Sequence, residues 1–129
     1  MRSLDTNVIV RLIVQDDAAQ AELAAALLRE RCFIALTVLA EVEWVLRSTY
    51  GIRREAIAKM LETFLEGPTV EVEEPELIRW AIGRFANGAD LADMLHLVAS
   101  RSSVRFMTFD RAISKDAGNS APVAVHVLK

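Results

Sequence analysis

The first fourteen residues constrain the fold of this chain more than any other stretch. They form a largely apolar segment that Asp5-Thr6-Asn7 interrupts at one point. We interpret the segment as a short strand that delivers a carboxylate at its carboxyl end and passes directly into a helix. Ligands of open parallel sheets bind outside the carboxyl ends of the strands. Asp5 is therefore a candidate ligand-binding residue, and other acidic residues could meet it at the same edge of the sheet.

The rest of the chain alternates short β-type runs with helical stretches, which is typical of an α/β domain with a mostly parallel sheet. Helices are predicted at 18–31, from a cap at Thr37 to about 50, at 53–66, from Pro75 to a stop at 87–88, from 90 to about 102, and at 111–117. Further strands are predicted at 33–36, 69–72, 104–108 and 123–127.

Length and composition indicate one globular domain over residues 1–129. The sequence is 53% hydrophobic, and its mean hydropathy is +0.26. No apolar run approaches the ~20 residues that span a bilayer. We expect the surplus apolar residues to serve a buried sheet and a protein interface. Because there is no secretion signal and Cys32 is the only cysteine, we expect a cytoplasmic protein without a membrane association.

Two acids, Asp5 and Glu41, have weak surface explanations. An ionised carboxylate among the apolar neighbours of Asp5 is costly unless it is paired or bound to a metal, although Asp5 could also cap the following helix. On the helix predicted from Thr37 to about 50, Arg47 follows Glu43 by four residues. An acid four residues before a base is the favourable order for an ion pair on a helix surface, so Glu43 has an ordinary explanation. Glu41 has no basic residue one turn away on a helix that we expect to be largely buried, so it is a site candidate. The alternative is that Glu41 reaches solvent past Trp44.

Later in the chain, Asp93 and Asp110 are the acids of interest. Asp90 and Asp93 resemble a capping box, but Asp93 is one methylene shorter than the Glu or Gln that normally reaches back. We therefore assign Asp90 to capping and leave Asp93 available for a site. Asp110 follows a predicted strand, and its alternative role is to cap the helix at 111–117. His96 could bind a metal, but packing or hydrogen bonding is the more common role of a single histidine among carboxylates.

The four acids Asp5, Glu41, Asp93 and Asp110 predict a metal site. Each is expected at the same edge of one parallel sheet, or on a helix that starts there. Oxygen ligands without cysteine or paired histidines suit Mg²⁺ or Mn²⁺, and such a site serves phosphodiester hydrolysis. The net charge is −3, which alone argues against a nucleic-acid partner. With these four negative charges set aside, the rest of the chain carries +1, so the net charge does not exclude a nucleic-acid partner.

Four motifs follow one another along nearly the whole chain. They are Leu4-Asp5-Thr6-Asn7-Val8, Leu39-Ala40-Glu41-Val42 with Trp44-Val45-Leu46 and Tyr50-Gly51, Ala89-Asp90-Leu91-Ala92-Asp93-Met94-Leu95-His96, and Thr108-Phe109-Asp110. This ordered set resembles a PIN-domain ribonuclease of the PilT amino-terminal family, and within it a VapC-type toxin of a type II toxin–antitoxin system. His96 departs from the aliphatic residue of many relatives.

This resemblance implies a Rossmann-like sandwich with a central, mostly parallel sheet of about five strands flanked by helices. It implies that the four acids bind Mg²⁺ or Mn²⁺ and cleave RNA, whether tRNA, rRNA or mRNA. It also implies a homodimer, which a cognate VapB-type antitoxin inhibits in a heterotetramer or larger complex. The helices at 18–28 and 38–46 would serve the dimer and the antitoxin. Four polar residues would orient the carboxylates or a metal-bound water: Thr6, Asn7, Thr37 and Thr108.

Two other functions compete with the nuclease. A haloacid-dehalogenase-type phosphatase also begins with an acid at a strand end, but it needs a second acid two residues on, where this chain has Asn7. A non-catalytic PIN-like scaffold for RNA or protein is the second alternative, and the complete set of four acids argues against it. Several arginines are candidate phosphate contacts, although a solvated surface is the simpler explanation for any one of them: Arg11, Arg47, Arg53, Arg54, Arg84, Arg101 and Arg111.

Overall fold

A computed structural model describes all residues from 1 to 129, with seven helices and five strands. The helices are α1 Thr6–Val14, α2 Ala18–Leu27, α3 Leu36–Ser48, α4 Arg54–Leu65, α5 Pro75–Ala86, α6 Leu91–Ala99 and α7 Arg111–Ala117. The strands are β1 Arg2–Ser3, β2 Cys32–Phe33, β3 Val70–Glu71, β4 Arg105–Thr108 and β5 Ala124–Val127. The α/β class with parallel strands is confirmed. No helix is both long enough and apolar enough to span a bilayer.

The five strands pair in two parallel sheets, whereas the sequence predicted one. β1, β2 and β3 form a three-stranded sheet in that order, and β4 pairs with β5. The first three strands are only two residues long, because helices follow almost at once and take over the backbone hydrogen bonds. The chain correspondingly divides into two compact units, Met1–Pro75 and Glu76–Lys129, which we call unit 1 and unit 2. The expectation of a single domain over residues 1–129 stays a prediction.

Unit 1 holds the three-stranded sheet with α1 to α4. β2 lies in the middle, with Cys32 opposite Arg2 on one side and Val70 on the other. α1 packs against α2 and α3, and α3 packs against α4. The core consists of aliphatic side chains from the helices and the end of β2, each at most 1% exposed: Ile9, Val10, Ile34, Leu39, Val42, Leu46, Ile57 and Leu61. This packing holds the starts of α1 and α3 in place.

Unit 2 holds α5, α6, β4, α7 and β5. Pro75 opens α5 as predicted, since proline lacks only a backbone donor that the first helical turn does not use. α6 is buried on most of its surface, including Leu91, Met94 and Leu97. α7 packs against α6 and β5. Its buried residue Ile113 lies three positions after Asp110, so packing fixes the helix that Asp110 begins.

Several boundaries differ from the predictions. The second helix ends at Leu27 instead of residue 31, because the backbone closes with tighter hydrogen bonds from Leu28 N–H to Ala25 and Arg29 N–H to Ala26. The second strand lies at Cys32–Phe33 instead of 33–36, since α3 already begins at Leu36. The prediction that Thr37 caps this helix is wrong. The N-cap is Ala35, which makes no side-chain hydrogen bond.

Candidate active site

Asp5 lies at the junction of β1 and α1 and caps the helix. Its backbone is extended, with φ −80° and ψ 160°, and its Oδ1 accepts a hydrogen bond from Thr6 N–H at 2.8 Å. The capping alternative is thus confirmed, with the first amide group of the helix as the donor. A cap uses only one carboxylate oxygen. The residue is exposed, and its Oδ2 accepts no hydrogen bond, so the cap does not exclude a ligand.

Thr6 connects the start of α1 to α3. The residue is 4% exposed, and its Oγ1 donates a hydrogen bond to Glu41 Oε1. Glu41 itself is exposed on α3, with its Oε2 outside any hydrogen bond. A buried hydroxyl of α1 therefore orients a carboxylate that reaches solvent from α3. The two other polar residues implied in this unit, Asn7 and Thr37, are exposed and make no side-chain hydrogen bond.

The structure buries Glu43 and exposes Glu41 on α3, and exposure is the alternative that the sequence left open for Glu41. Arg47 Nε donates to Glu43 Oε2 at 2.8 Å, which confirms the predicted pair. However, Glu43 is 3% exposed, whereas Glu41 is exposed, so the surface placement of Glu43 was wrong. The reason is that Glu43 lies next to the buried face of α3, and the long Arg47 side chain carries the charge pair towards solvent. Glu43 thus has a structural explanation, and Glu41 keeps its place as a site candidate.

In unit 2, Asp90 caps α6, and the side chain of Asp93 stays without a hydrogen-bond partner. Asp90 Oδ2 accepts a hydrogen bond from Asp93 N–H at 2.9 Å, as predicted. The Asp93 carboxylate accepts no hydrogen bond, and the residue is partly buried. Burial raises the pKa of Asp93, and the negative charges of Asp90 and Asp110 raise it further, while His96 opposes them. Asp93 is thus a carboxylate that its surroundings disfavour in the charged form, as expected for a group that a cation would stabilise.

Asp110 follows β4 and caps α7. Its Oδ1 accepts a hydrogen bond from Ala112 N–H at 2.8 Å, and its own N–H donates to Thr108 Oγ1 at 2.9 Å. The capping alternative is again confirmed, and again Oδ2 accepts no hydrogen bond. Thr108 thereby orients the backbone of Asp110, although it does not contact the carboxylate. Its carbonyl also accepts a hydrogen bond from Leu128 N–H at 2.7 Å, which anchors the turn to the end of the chain.

The donor chemistry of these residues fits a hard divalent cation. All four candidates offer carboxylate oxygens, and Asp5 and Asp110 each keep one oxygen outside their caps. Mg²⁺ usually takes one or two protein carboxylates and retains several waters. No group of three or more His, Cys, Asp or Glu side chains is arranged to hold a metal ion. Within unit 1 the relevant pair is Asp5 and Glu41, and within unit 2 it is Asp93 and Asp110.

Some of the arginines proposed as phosphate contacts are occupied within the protein. Arg11 bonds to Tyr50 and Gln20 and lies 3.4 Å from Asp16. Arg84 Nε donates to the carbonyl of Asp116 near the end of α7. Arg111 stays exposed without an ion pair.

The sequence reasoning missed Arg105, which is also exposed on β4. The alternation along this strand, with Phe106 half-buried between exposed neighbours, was the signal that could have found it. Arg105 and Arg111 are therefore exposed arginines of unit 2 whose side chains stay available to a ligand, as is Arg79 on α5.

Comparison with known proteins places the chain in a family. Neither a curated protein nor a solved structure was found to match it. The family model described as PIN domain matches residues 3–118, which include α1, α3, α6 and α7. All four candidate acids lie within the matched range. The chain therefore belongs to the PIN domain family.

Proposed function

We propose that the protein is a metal-dependent endoribonuclease that hydrolyses phosphodiester bonds in RNA. PIN domains are typically metal-dependent nucleases, which supports the reaction class. The observation that carries the proposal is the hydrogen bond from the buried Thr6 hydroxyl to the exposed Glu41 carboxylate. An exposed glutamate with only a structural role gains little from a buried hydrogen-bond donor on another helix. A glutamate that binds a metal gains from such a donor, because the donor holds the carboxylate in one orientation.

Asp5, Glu41, Asp93 and Asp110 are the proposed ligands of Mg²⁺ or Mn²⁺. A bound divalent ion would supply a water of lowered pKa and would offset negative charge on the leaving oxygen. The residues of this chain contribute the orientation. Thr6 holds Glu41, the α1 cap holds Asp5, and Thr108 with the α7 cap holds Asp110. Because the pKa of Asp93 is raised, its carboxyl holds a proton to higher pH than an ordinary aspartate does.

Cleavage of a labelled RNA, with and without EDTA, tests this proposal. We expect the wild-type chain to cleave in Mg²⁺ or Mn²⁺, and we expect Asp5→Asn and Glu41→Gln to abolish cleavage without unfolding the protein. Glu62→Gln is a matched control, since Glu62 is an exposed acid on α4 that is not among the proposed ligands. Cleavage by Asp5→Asn at the wild-type rate would contradict the proposal. RNA binding without cleavage would instead favour the non-catalytic scaffold.

We further propose that the nuclease is the toxin of a toxin–antitoxin pair, that it forms homodimers, and that a cognate antitoxin inhibits it. Two large apolar side chains of unit 1 support a protein partner, since Leu23 on α2 is 72% exposed and Trp44 on α3 is 56% exposed. Both lie on helices that the sequence associated with such contacts. Expression of the wild type should arrest growth, whereas expression of Asp5→Asn should not. Light scattering on the Trp44→Lys variant tests the dimer, which should dissociate.

A further inference from the structure

The exposed side of β4 in unit 2 combines apolar, aromatic and basic side chains. Arg105 and Met107 point to the exposed side of the strand, while Phe106 and Thr108 are half-buried. Phe109 continues the alternation directly after the strand and is 77% exposed, and Met107 is 52% exposed. His126, which pairs with Met107 across the two strands, is also exposed. We call Arg105, Met107, Phe109 and His126 the β4 face.

The exposure of Phe109 is not a consequence of a loose loop. The residue before it, Thr108, accepts hydrogen bonds from Leu128 N–H at 2.7 Å and, through its side chain, from Asp110 N–H at 2.9 Å. The residue after it, Asp110, caps α7. The backbone on both sides of Phe109 is therefore held by hydrogen bonds. Phe109 and Met107 are thus two large apolar side chains exposed on the same side, next to the basic side chain of Arg105. An exposed apolar patch bordered by polar groups indicates a ligand contact.

The charge of the region favours an anionic ligand. Arg105 on the β4 face and Arg111 at the start of α7 are exposed, and neither guanidinium group forms a hydrogen bond or an ion pair. Unit 2 contains seven arginines and lysines but five aspartates and glutamates. Two of those five acids, Asp93 and Asp110, are proposed metal ligands, so a bound cation would increase the positive excess. An anionic polymer with planar groups matches both the free guanidinium groups and the exposed ring.

We propose that the β4 face is the binding surface for single-stranded RNA, with a base stacked on Phe109 and phosphates bound by Arg105 and Arg111. The inference rests on the proposed nuclease function and extends it to the residues that bind the substrate beside Asp110. Phe109 is adjacent in sequence to Asp110, so a nucleotide stacked on the ring lies next to a proposed catalytic carboxylate. Stacking on an aromatic side chain requires an unpaired base. The protein therefore selects unpaired over paired RNA at this position.

Binding measured separately from cleavage tests the proposal. The full-length Asp5→Asn protein is titrated in EDTA against a fluorescently labelled, single-stranded oligouridine, with the same strand annealed to its complement as the comparison. We expect Phe109→Ala to weaken binding to the single strand about 5- to 150-fold, the effect of removing one base–aromatic stack. Phe109→Tyr should restore most of the affinity, whereas Phe109→Leu, which keeps apolar area without an aromatic ring, should not. Val104→Ala is the matched control, because Val104 is 89% exposed but outside the β4 face.

The salt dependence provides a second measurement. Replacing Arg105 or Arg111 by Gln should reduce the slope of log affinity against log salt by about 0.7 for each phosphate of a single strand that is no longer neutralised. Phe109→Ala should leave that slope unchanged. If these residues had only a structural role, the arginine variants and Phe109→Ala would not differ in the slope. Melting curves of all variants show whether each one is folded.

The outcomes separate the failure of this inference from the failure of the nuclease proposal. If the wild type cleaves RNA but Phe109→Ala and Phe109→Leu bind and cleave as Val104→Ala does, the nuclease stands and the β4 face is overturned. If the wild type does not cleave but Phe109→Ala still loses RNA affinity, the nuclease fails and the β4 face stands. If Phe109→Ala changes the oligomeric state while RNA affinity is unaltered, the face is a protein interface and the proposal is wrong.

Discussion

The hydroxyl of Thr6, buried at the start of α1, donates a hydrogen bond to the exposed carboxylate of Glu41 on α3. The bond joins the helix that Asp5 caps to the helix that carries the second acid of unit 1. It fixes one oxygen of Glu41 and leaves the other available. The orientation of Glu41 thus depends on a single uncharged donor from a different helix.

Removal of that donor should impair activity more than stability. Thr6→Val keeps the shape of the side chain, so we expect the free energy of unfolding to change by no more than about 1 kcal/mol. The rate of RNA cleavage should fall about 10- to 100-fold, the usual effect of losing a group that orients a metal ligand. Thr6→Ser, which retains the hydroxyl, should recover most of the rate. Equal losses in Thr6→Ser and Thr6→Val would show that the hydroxyl is unimportant.

Substitutions of Asp5 should separate helix capping from chemistry. Asn can still accept the hydrogen bond from Thr6 N–H, so Asp5→Asn should melt close to the wild type, whereas Asp5→Ala should lose about 1 kcal/mol. Both variants should lose cleavage. Asp17 offers a matched control, since its Oδ1 caps α2 by accepting from Gln20 N–H at 3.0 Å. Asp17→Ala should lose similar stability in the same urea titration and yet retain cleavage.

Metal binding should raise the thermal stability of the protein. A divalent cation at ten times its dissociation constant adds about 1.4 kcal/mol to the free energy of unfolding. This corresponds to a rise in Tm of about 3–6 °C for a chain of this size. Calorimetric scans with millimolar MgCl₂ or MnCl₂ measure the effect, and NaCl at equal ionic strength is the control. Glu41→Gln should respond less than the wild type, and an unchanged wild-type Tm in both metals would count against the site.

Asp93 should make the metal-free protein less stable as pH rises. Its pKa is raised in the folded state, chiefly by burial and then by Asp90, so the folded protein binds its proton more tightly than the unfolded chain does. Stability from this group is present below the unfolded pKa of about 3.9 and is lost as pH rises through the folded value. Asp93→Asn should therefore have a higher Tm than the wild type at neutral pH and no advantage at low pH. If Asp93→Asn and the wild type differed in Tm by the same amount at every pH, the raised pKa of Asp93 would not be the cause.

Local backbone chemistry accounts for the parts of the fold that the sequence predicted well. Asp5 before an apolar run predicted both the cap and the start of α1, and Pro75 predicted the start of α5. Gly51, with φ 64°, occupies the left-handed position that ends a helix. Each of these signals acts between residues close in the chain, so it can be recognised without knowledge of the tertiary structure.

Tertiary effects explain what the sequence could not predict. Both Glu41 and Glu43 lie on α3, and only the packing of that helix decides that Glu43 is the buried one. The choice of Ala35 over Thr37 as the cap depends on where β2 ends, which its pairing with β3 sets. The division of five strands into two sheets likewise depends on pairing between distant segments. The four candidate acids and the caps of Asp5 and Asp110 were identifiable from the sequence, but the hydrogen bond from Thr6 to Glu41 was not, since it joins two helices that are distant in the chain.

The caps made by Asp5 and Asp110 have a consequence for how this protein can change over evolution. Each acid is oriented by an amide group of the helix that it begins, and every residue type except proline supplies such an amide. The neighbouring side chains can therefore be exchanged while both carboxylates keep their positions. A site held in this way tolerates extensive divergence around it. Proteins related to this one should therefore share short motifs in a fixed order, even where their overall sequence identity is low.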